Sequence, residues 1–189
     1  MVLAIPNGGV PVALRVHARI GGDFGILVVR KLHIPWNREA GFGAVAPDGT
    51  TVYNERVRRA LGLGEAEERA IIDSELAEIS RRQSEYHARD LPRLEGRVAI
   101  LVDDGLASGY SMLVAARFVR RHNPAELVVA VPTASRDAVR LVKTSADRVV
   151  CPNVRTGPAF AVADAYRDWR DLEDDEVVAL LQSFGAQRD

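Results

Sequence analysis

Val98-Ala99-Ile100-Leu101-Val102-Asp103-Asp104-Gly105-Leu106-Ala107-Ser108-Gly109-Tyr110-Ser111-Met112 is the stretch that decides how the rest of this chain is read. Five consecutive apolar residues ending at a turn signal fit a strand buried on both faces, as in a parallel sheet. Two adjacent carboxylates follow at its C-terminal end, where open α/β sheets bind their ligands. A loop of small residues with two hydroxyls then opens a helix. Met112, Ala115, Ala116 and Val119 recur at helical spacing until Asn123-Pro124 stops them. The unpaired N–H groups and positive dipole end of that helix make Ser108–Ser111 a natural phosphate cradle, and Gly109 lets the backbone approach closely. Carboxylates aimed directly at a phosphate would repel it. They fit a neutral part of the same ligand, such as sugar hydroxyls.

Working outward, four more buried strands are predicted at Val2–Ile5, Phe24–Arg30, Leu127–Val131 and Arg148–Cys151. Ser135 is placed to cap a helix carrying Ala138, Leu141 and Val142. Asp174 is placed to cap one that buries Val177, Leu180, Leu181 and Phe184. The alternation predicts an α/β fold, a parallel sheet flanked by helices with right-handed crossovers. Leu32 to Asp90 interrupts it. His33-Ile34-Pro35-Trp36-Asn37 reads as too irregular for a strand, with Trp36 as a loop anchor. A hairpin of Gly43–Ala46 and Thr50–Tyr53 follows around Pro47-Asp48-Gly49. A long helix is expected from about Glu65 to Arg89, with Ile72, Leu76, Ile79 and Tyr86 as its apolar stripe. The reading is one domain over 1–189: a core of 1–31 and 91–158, an inserted hood of 32–90, and a C-terminal hood segment and helix over 159–189.

Composition narrows the function. The 189 residues carry Lys+Arg 25 against Asp+Glu 26, a net charge of -1, with 47% hydrophobic and 27% charged residues. This balance lacks the basic excess of a nucleic-acid binder. No apolar run is long enough for a membrane helix, and Met1–Pro6 lacks the pattern of a secretory signal. The single Cys151 rules out an internal disulfide, and the scattered His17, His33, His87 and His122 lack zinc-ligand spacing. A cytoplasmic enzyme is the expectation. No G-x-x-x-x-G-K-[ST] or strand-following G-x-G-x-x-G occurs. A phosphoacceptor receiver would need an Asp ending a later strand, where Pro132-Thr133 and Cys151-Pro152 stand instead. Lys31, at a strand end, reads as functional because burying an unpaired charge is costly.

Val98–Met112 resembles the ribose-phosphate-binding motif of the type I phosphoribosyltransferases, nearest in form to the adenine-type version. Ile5-Pro6-Asn7-Gly8-Gly9-Val10 resembles the family's pyrophosphate loop, and Val29-Arg30-Lys31 its basic strand end. Leu32–Thr50 resembles its loop over the active site, and Phe160–Ala163 through Tyr166–Trp169 its C-terminal hood. The chain is most similar to a subgroup with Arg-Lys and Gly-Ala-Val-Ala signatures.

The resemblance implies a magnesium-dependent transfer of phosphoribosyl from phosphoribosyl pyrophosphate to a nitrogenous base, releasing pyrophosphate. In that scheme Asp103 and Asp104 bind the ribose hydroxyls, and Lys31 meets the leaving group. Asn7, Gly8, Gly9 and Arg30 lie at the pyrophosphate. Ala107, Ser108, Gly109, Tyr110 and Ser111 hold the 5-phosphate, and Phe160 stacks on the base. Mg2+ is held mainly by substrate and water, so no direct protein ligand is predicted. The implied partners are phosphoribosyl pyrophosphate and a small-molecule acceptor, with no nucleic acid or membrane; a homodimer is compatible with this. Departures are Asn7 for a usual Arg, Ser108 and Ser111 for threonines, and Tyr110 for a glycine. Ala107 stands where hypoxanthine-type enzymes carry an acid, which disfavours that substrate class. Asn7 and Tyr110 also suit a non-catalytic phosphoribosyl-pyrophosphate sensor on the same fold.

Overall fold

The computed structural model describes residues 1–34, 36–88, 91–157 and 160–186. The chain begins β1 (Val2–Ala4), α1 (Gly9–Ile20), β2 (Phe24–Ile26), β3 (Arg30–Ile34), β4 (Asn37–Val45) and β5 (Thr51–Tyr53). It continues α2 (Glu55–Leu61), α3 (Glu65–Glu85), β6 (Val98–Val102), α4 (Tyr110–Arg120), β7 (Glu126–Ala130) and β8 (Thr133–Ser135). It closes with α5 (Arg136–Val142), β9 (Arg148–Val150), β10 (Asn153–Arg155), a 3-10 turn at Val162–Ala165 and α6 (Asp174–Gly185).

The strands read as buried form one sheet in the order β2-β1-β6-β7-β9, every pair parallel. Alternate residues bury on opposite faces, as strand geometry requires. Leu3, Ile5, Leu101 and Val129 join the core beneath α4 and α5, while Val2, Ala4, Ile26 and Val102 join the core beneath α1, α3 and α6. Both faces of the inner strands are therefore apolar, which is why continuous Val/Ile/Leu runs marked them, whereas the strand expected as buried at Arg148–Cys151 is the edge strand β9, which ends at Val150 and is largely exposed.

This order positions the site. From β1 the chain crosses through α1 to β2 on one side; from β6 it crosses through α4 to β7 on the other. The strand order therefore reverses between β1 and β6. A crevice opens there at the C-terminal ends, the usual ligand position in open α/β sheets.

Between β2 and β6 the structure departs from expectation. The Arg30–Ile34 and Asn37–Val45 segments pair as antiparallel strands, with register shifts between Leu32/His33 and His33/Ile34. Those irregularities break the period-2 pattern that a strand reading depends on. Leu32, Phe42 and Val45 are buried, which fixes the hairpin, whereas Trp36, expected as a loop anchor, is 71% exposed. The expected second hairpin is present, with Gly43 opposite Tyr53. The run expected as one strand at Phe24–Arg30 divides after Ile26. α2 precedes the long helix, capped by the Asn54 side chain accepting from Val57 N–H. The helix itself ends at Glu85, and Arg89 lies outside the described residues. Ile79 and Tyr86 of its stripe are fully buried, with Ile72 and Leu76 packed beside them.

Candidate active site

The β1–α1 turn lies directly against the end of β6. Ile5 N–H donates to Val102 O (2.9 Å), extending the β1–β6 ladder by one residue. The Pro6–Asn7 peptide is cis. A Cβ on Gly8 would lie 1.8 Å from Asp104 Oδ2, and one on Gly9 would lie 2.9 Å from both Asp103 Cα and Val102 O. No real Cβ tolerates such distances, so the two glycines leave room for the acid pair. Asp103 Oδ1 accepts from the Asp104 N–H (2.8 Å). Burial, reinforced by the neighbouring Asp104 carboxylate, holds the Asp103 carboxyl well above the usual carboxylate range. Burial also raises that of Asp104.

The loop after this pair is tied to β8. Leu106 N–H donates to Thr133 O (3.0 Å), Ser135 N–H to Leu106 O (2.9 Å), and Ser135 Oγ–H to Ala107 O (2.8 Å). Gly109 takes φ +83° beside Ala138, a conformation that disfavours any side chain, and α4 starts at the next residue. Ser135 also caps α5, as its sequence position predicted, by accepting from Ala138 N–H (3.1 Å).

Helix ends give the site its electrostatics. α2, α3, α5 and α6 each carry acidic residues in their first turn. α1 and α4 carry none, and neither has a side-chain cap on its N-terminal N–H groups. These are the two helices that start beside Asp103 and Asp104. The acid pair thus shares a cavity with residues at two positively polarised helix ends without side-chain caps, Gly8 before α1 and Ser111 in α4.

Two cavities meet this region. One of about 520 Å³ is lined by Asn7, Gly8, Arg30, Lys31, Asp103, Asp104 and Ser111, and also by Arg82, Trp169 and Asp171. The other, about 470 Å³, is lined by Ala107, Ser108, Tyr110 and Phe160. Ser111 lines the first and Ser108 and Tyr110 the second, so both cavities reach the start of α4 around the buried Gly109. Gly9 is buried under the acid pair and lines neither cavity.

Asn7 and Arg30, both marked in the sequence, are held by distant protein partners. The Asn7 amide donates to Leu172 O (2.7 Å) and Asp174 Oδ1 (2.9 Å), and its oxygen accepts from Arg82 Nη1 (3.0 Å). The Tyr86 hydroxyl lies 2.9 Å from that oxygen and 2.6 Å from Asp174 Oδ1. Arg30 Nε donates to Glu75 Oε2 (2.9 Å), whose other oxygen is 2.8 Å from His33 Nδ1. The Lys31 stem covers Gly41, where a Cβ would come within 2.4 Å of Lys31 Cγ.

The α6 cap differs from expectation: Glu173 is the N-cap and Asp174 faces Asn7, Tyr86 and Arg81. Its bonds to Tyr86, Arg81 and Asn7 outweigh the opposing effect of burial and bring its carboxyl down to about 2.

The family's sequence model, described as a phosphoribosyl transferase domain, matches residues 1–165. The chain belongs to this family. Two Mycobacterium tuberculosis relatives named as phosphoribosyl transferases, from strains CDC 1551 and H37Rv, are each 40% identical over 184 residues. The match covers 96% of this chain and 41% of theirs, so the chain spans about two-fifths of these curated relatives. The crystal structure of TT1426 from Thermus thermophilus superposes with a TM-score of 0.75 at 34% identity, over 96% of this chain and 86% of that one.

Within this phosphoribosyl transferase fold, the C-terminal segment reaches the acid pair. Tyr166 OH donates to Asp104 O (2.7 Å), and its ring packs 5.0 Å from that of Trp169. Burial, with the nearby Asp104 and Asp103 charges, pushes the Tyr166 hydroxyl up to about 12. Sequence reading placed no site role on Arg82, Trp169 or Asp171. Arg82 stands four residues after Glu78, an ordinary helical ion-pair spacing, and nothing local marks it for the cavity that Asn7 also lines.

Proposed function

We propose that the chain transfers phosphoribosyl from phosphoribosyl pyrophosphate to a nitrogenous base, releasing pyrophosphate. One observation carries this reading: an acid pair shares its cavity with Gly8 and Ser111, at the starts of two helices that alone among the described helices lack both first-turn acids and side-chain caps. A ligand with a phosphate at each end and a hydroxyl-bearing sugar between matches that set of charges.

In this reading Asp103 and Asp104 accept hydrogen bonds from the ribose hydroxyls. Ser108, Gly109, Tyr110 and Ser111, with the N–H groups opening α4, hold the 5-phosphate. Gly8 and Lys31 meet the pyrophosphate, and Phe160, sharing a cavity with Ser108 and Tyr110, presents a ring to the acceptor. The bond from ribose C1 to the pyrophosphate oxygen breaks, the electron pair leaves with pyrophosphate, and C1 bonds to the acceptor nitrogen. Charge development dominates such a step, so fixed dipoles and cations near the leaving group supply most of the acceleration.

The residues fit magnesium as a hydrated partner. Among the described residues no group of three acidic, His or Cys side chains is placed to hold a metal. Two oxygen-donor carboxylates with raised proton affinity, which a cation would relieve, do face the site. Asp103 and Asp104 would orient the bound ion's water, and the ion supplies charge neutralisation to the pyrophosphate.

Pyrophosphate release across a panel of nucleobases tests the proposal, with Asp104→Ala as the control expected to lose it. Ribose 5-phosphate appearing faster than any nucleotide would reassign the chain to hydrolysis.

A further inference from the structure

We propose that Arg82, on α3, is the guanidinium that binds the pyrophosphate group beside Gly8, with Asn7 as the residue that aims it. The assignment rests on the phosphoribosyltransferase reading above. It carries that reading to a residue in the segment between β2 and β6, 75 positions from Asn7.

The geometry singles out Arg82. Its side chain lines the same cavity as Gly8, Lys31 and Asp104. The guanidinium is held in place: Nε donates to Glu78 Oε1 (2.9 Å), Nη1 donates to Asn7 Oδ1 (3.0 Å), and Nη2 lies 3.4 Å from Asp174 Oδ1. An arginine has five N–H donors. The hydrogen bonds described for Arg82 use two of them, one on Nε and one on Nη1, which leaves three N–H groups on a side chain that lines the cavity.

The other arginines of the cavity are engaged differently. Arg170 commits both Nη1 (2.7 Å) and Nη2 (2.5 Å) to the Glu176 carboxylate, a closed bidentate pair. Arg30 is turned by Nε toward Glu75 on α3. Arg82 forms no such closed pair, because Arg81 takes the second oxygen of Asp174 (2.6 Å) and also bonds Glu78 (2.7 Å).

Asn7 suits this task chemically. It must donate to Leu172 O and Asp174 while accepting from Arg82, and an amide has both capacities. An aspartate there would face Asp174 with like charge, and an arginine would face Arg82. The cation therefore reaches the pyrophosphate loop from α3, and the planar fork of a guanidinium matches phosphate oxygens.

Calorimetric titration of Mg2+-supplemented protein with three probes tests this: phosphoribosyl pyrophosphate, inorganic pyrophosphate and ribose 5-phosphate. Arg82→Gln should weaken the first two by roughly 10- to 100-fold, the range for losing charge-assisted hydrogen bonds. It should leave ribose 5-phosphate within about twofold, since that ligand lacks the group Arg82 meets. Arg82→Lys, which keeps the charge without the fork, should fall between wild type and Arg82→Gln for the pyrophosphate probes. Equal weakening of all three probes, or no weakening of any, would overturn the assignment while leaving the transferase reading in place. Wild-type protein that binds none of the three would remove both.

Discussion

A side chain on Gly8 and the carboxylate of Asp104 cannot occupy the crevice together: a Cβ on Gly8 would lie 1.8 Å from Asp104 Oδ2. Gly9 is under a stricter limit, because the atoms its Cβ would meet at 2.9 Å are the Asp103 Cα and the Val102 carbonyl oxygen. Carboxylate atoms can rotate away, whereas strand backbone cannot. Both glycines therefore allow two neighbouring strand ends to share one site.

Gly9→Ala should accordingly cost more than Gly8→Ala. Overpacking against backbone typically costs about 1–3 kcal/mol. Thermal unfolding should show the larger loss of Tm for Gly9→Ala. Gly8→Ala should keep most of its stability and lose affinity for phosphoribosyl pyrophosphate as Asp104 is displaced.

The acid pair should make the free protein less stable as pH rises. The folded-state affinity of Asp103 for its proton is raised. Above the ordinary carboxylate value the unfolded chain has lost that proton while the folded chain still holds it. Stability from this group therefore falls as pH rises from that value through the higher folded one, and stays lower beyond it. Asp103→Asn should raise unliganded stability at neutral pH by roughly 1–2 kcal/mol, the scale of an incompletely satisfied buried group. The gain should vanish below the ordinary carboxylate range. Denaturant melts at two pH values check both parts.

Asn7→Arg should lower function rather than raise it. It places a second guanidinium against Arg82 and removes the bonds to Leu172 O and Asp174. Asn7→Ala, which only removes the brace, should destabilise the fold by about 1–3 kcal/mol through the partners left behind. Greater pyrophosphate release by Asn7→Arg than by wild type would contradict the role given to this residue.

Much of the fold was legible because its determinants are local. Val98–Val102 and the acids after it read directly as a buried strand ending in a site, and Ser135 read as a cap. Elsewhere apolar runs record burial rather than pairing. Leu27, Val28 and Val29 are all buried, yet they lie between two sheets rather than within a strand. The β3–β4 hairpin was hidden by its register shifts. The part of the site least visible in sequence is the part built from distant segments. Asn7 meets Arg82, Tyr86 and Asp174, 75 to 167 positions away. The direction in which its amide points is set by helices whose placement no local pattern encodes.

Tyr166→Phe isolates the tether between the C-terminal segment and the acid pair. It removes the bond to Asp104 O while keeping the ring against Trp169. A neutral hydrogen bond of this kind contributes about 0.5–1.5 kcal/mol. Tm should fall by only a few degrees, while phosphoribosyl-pyrophosphate affinity should weaken by up to about tenfold. A large loss of Tm without loss of affinity would make Tyr166 purely structural.

The most direct test of the central claim is calorimetric titration of the protein with phosphoribosyl pyrophosphate in the presence of Mg2+, beside the same titration of Asp104→Ala. The account predicts one saturable site in the wild type and its loss in the variant. No binding by the folded wild type, or equal binding by both proteins, would contradict it.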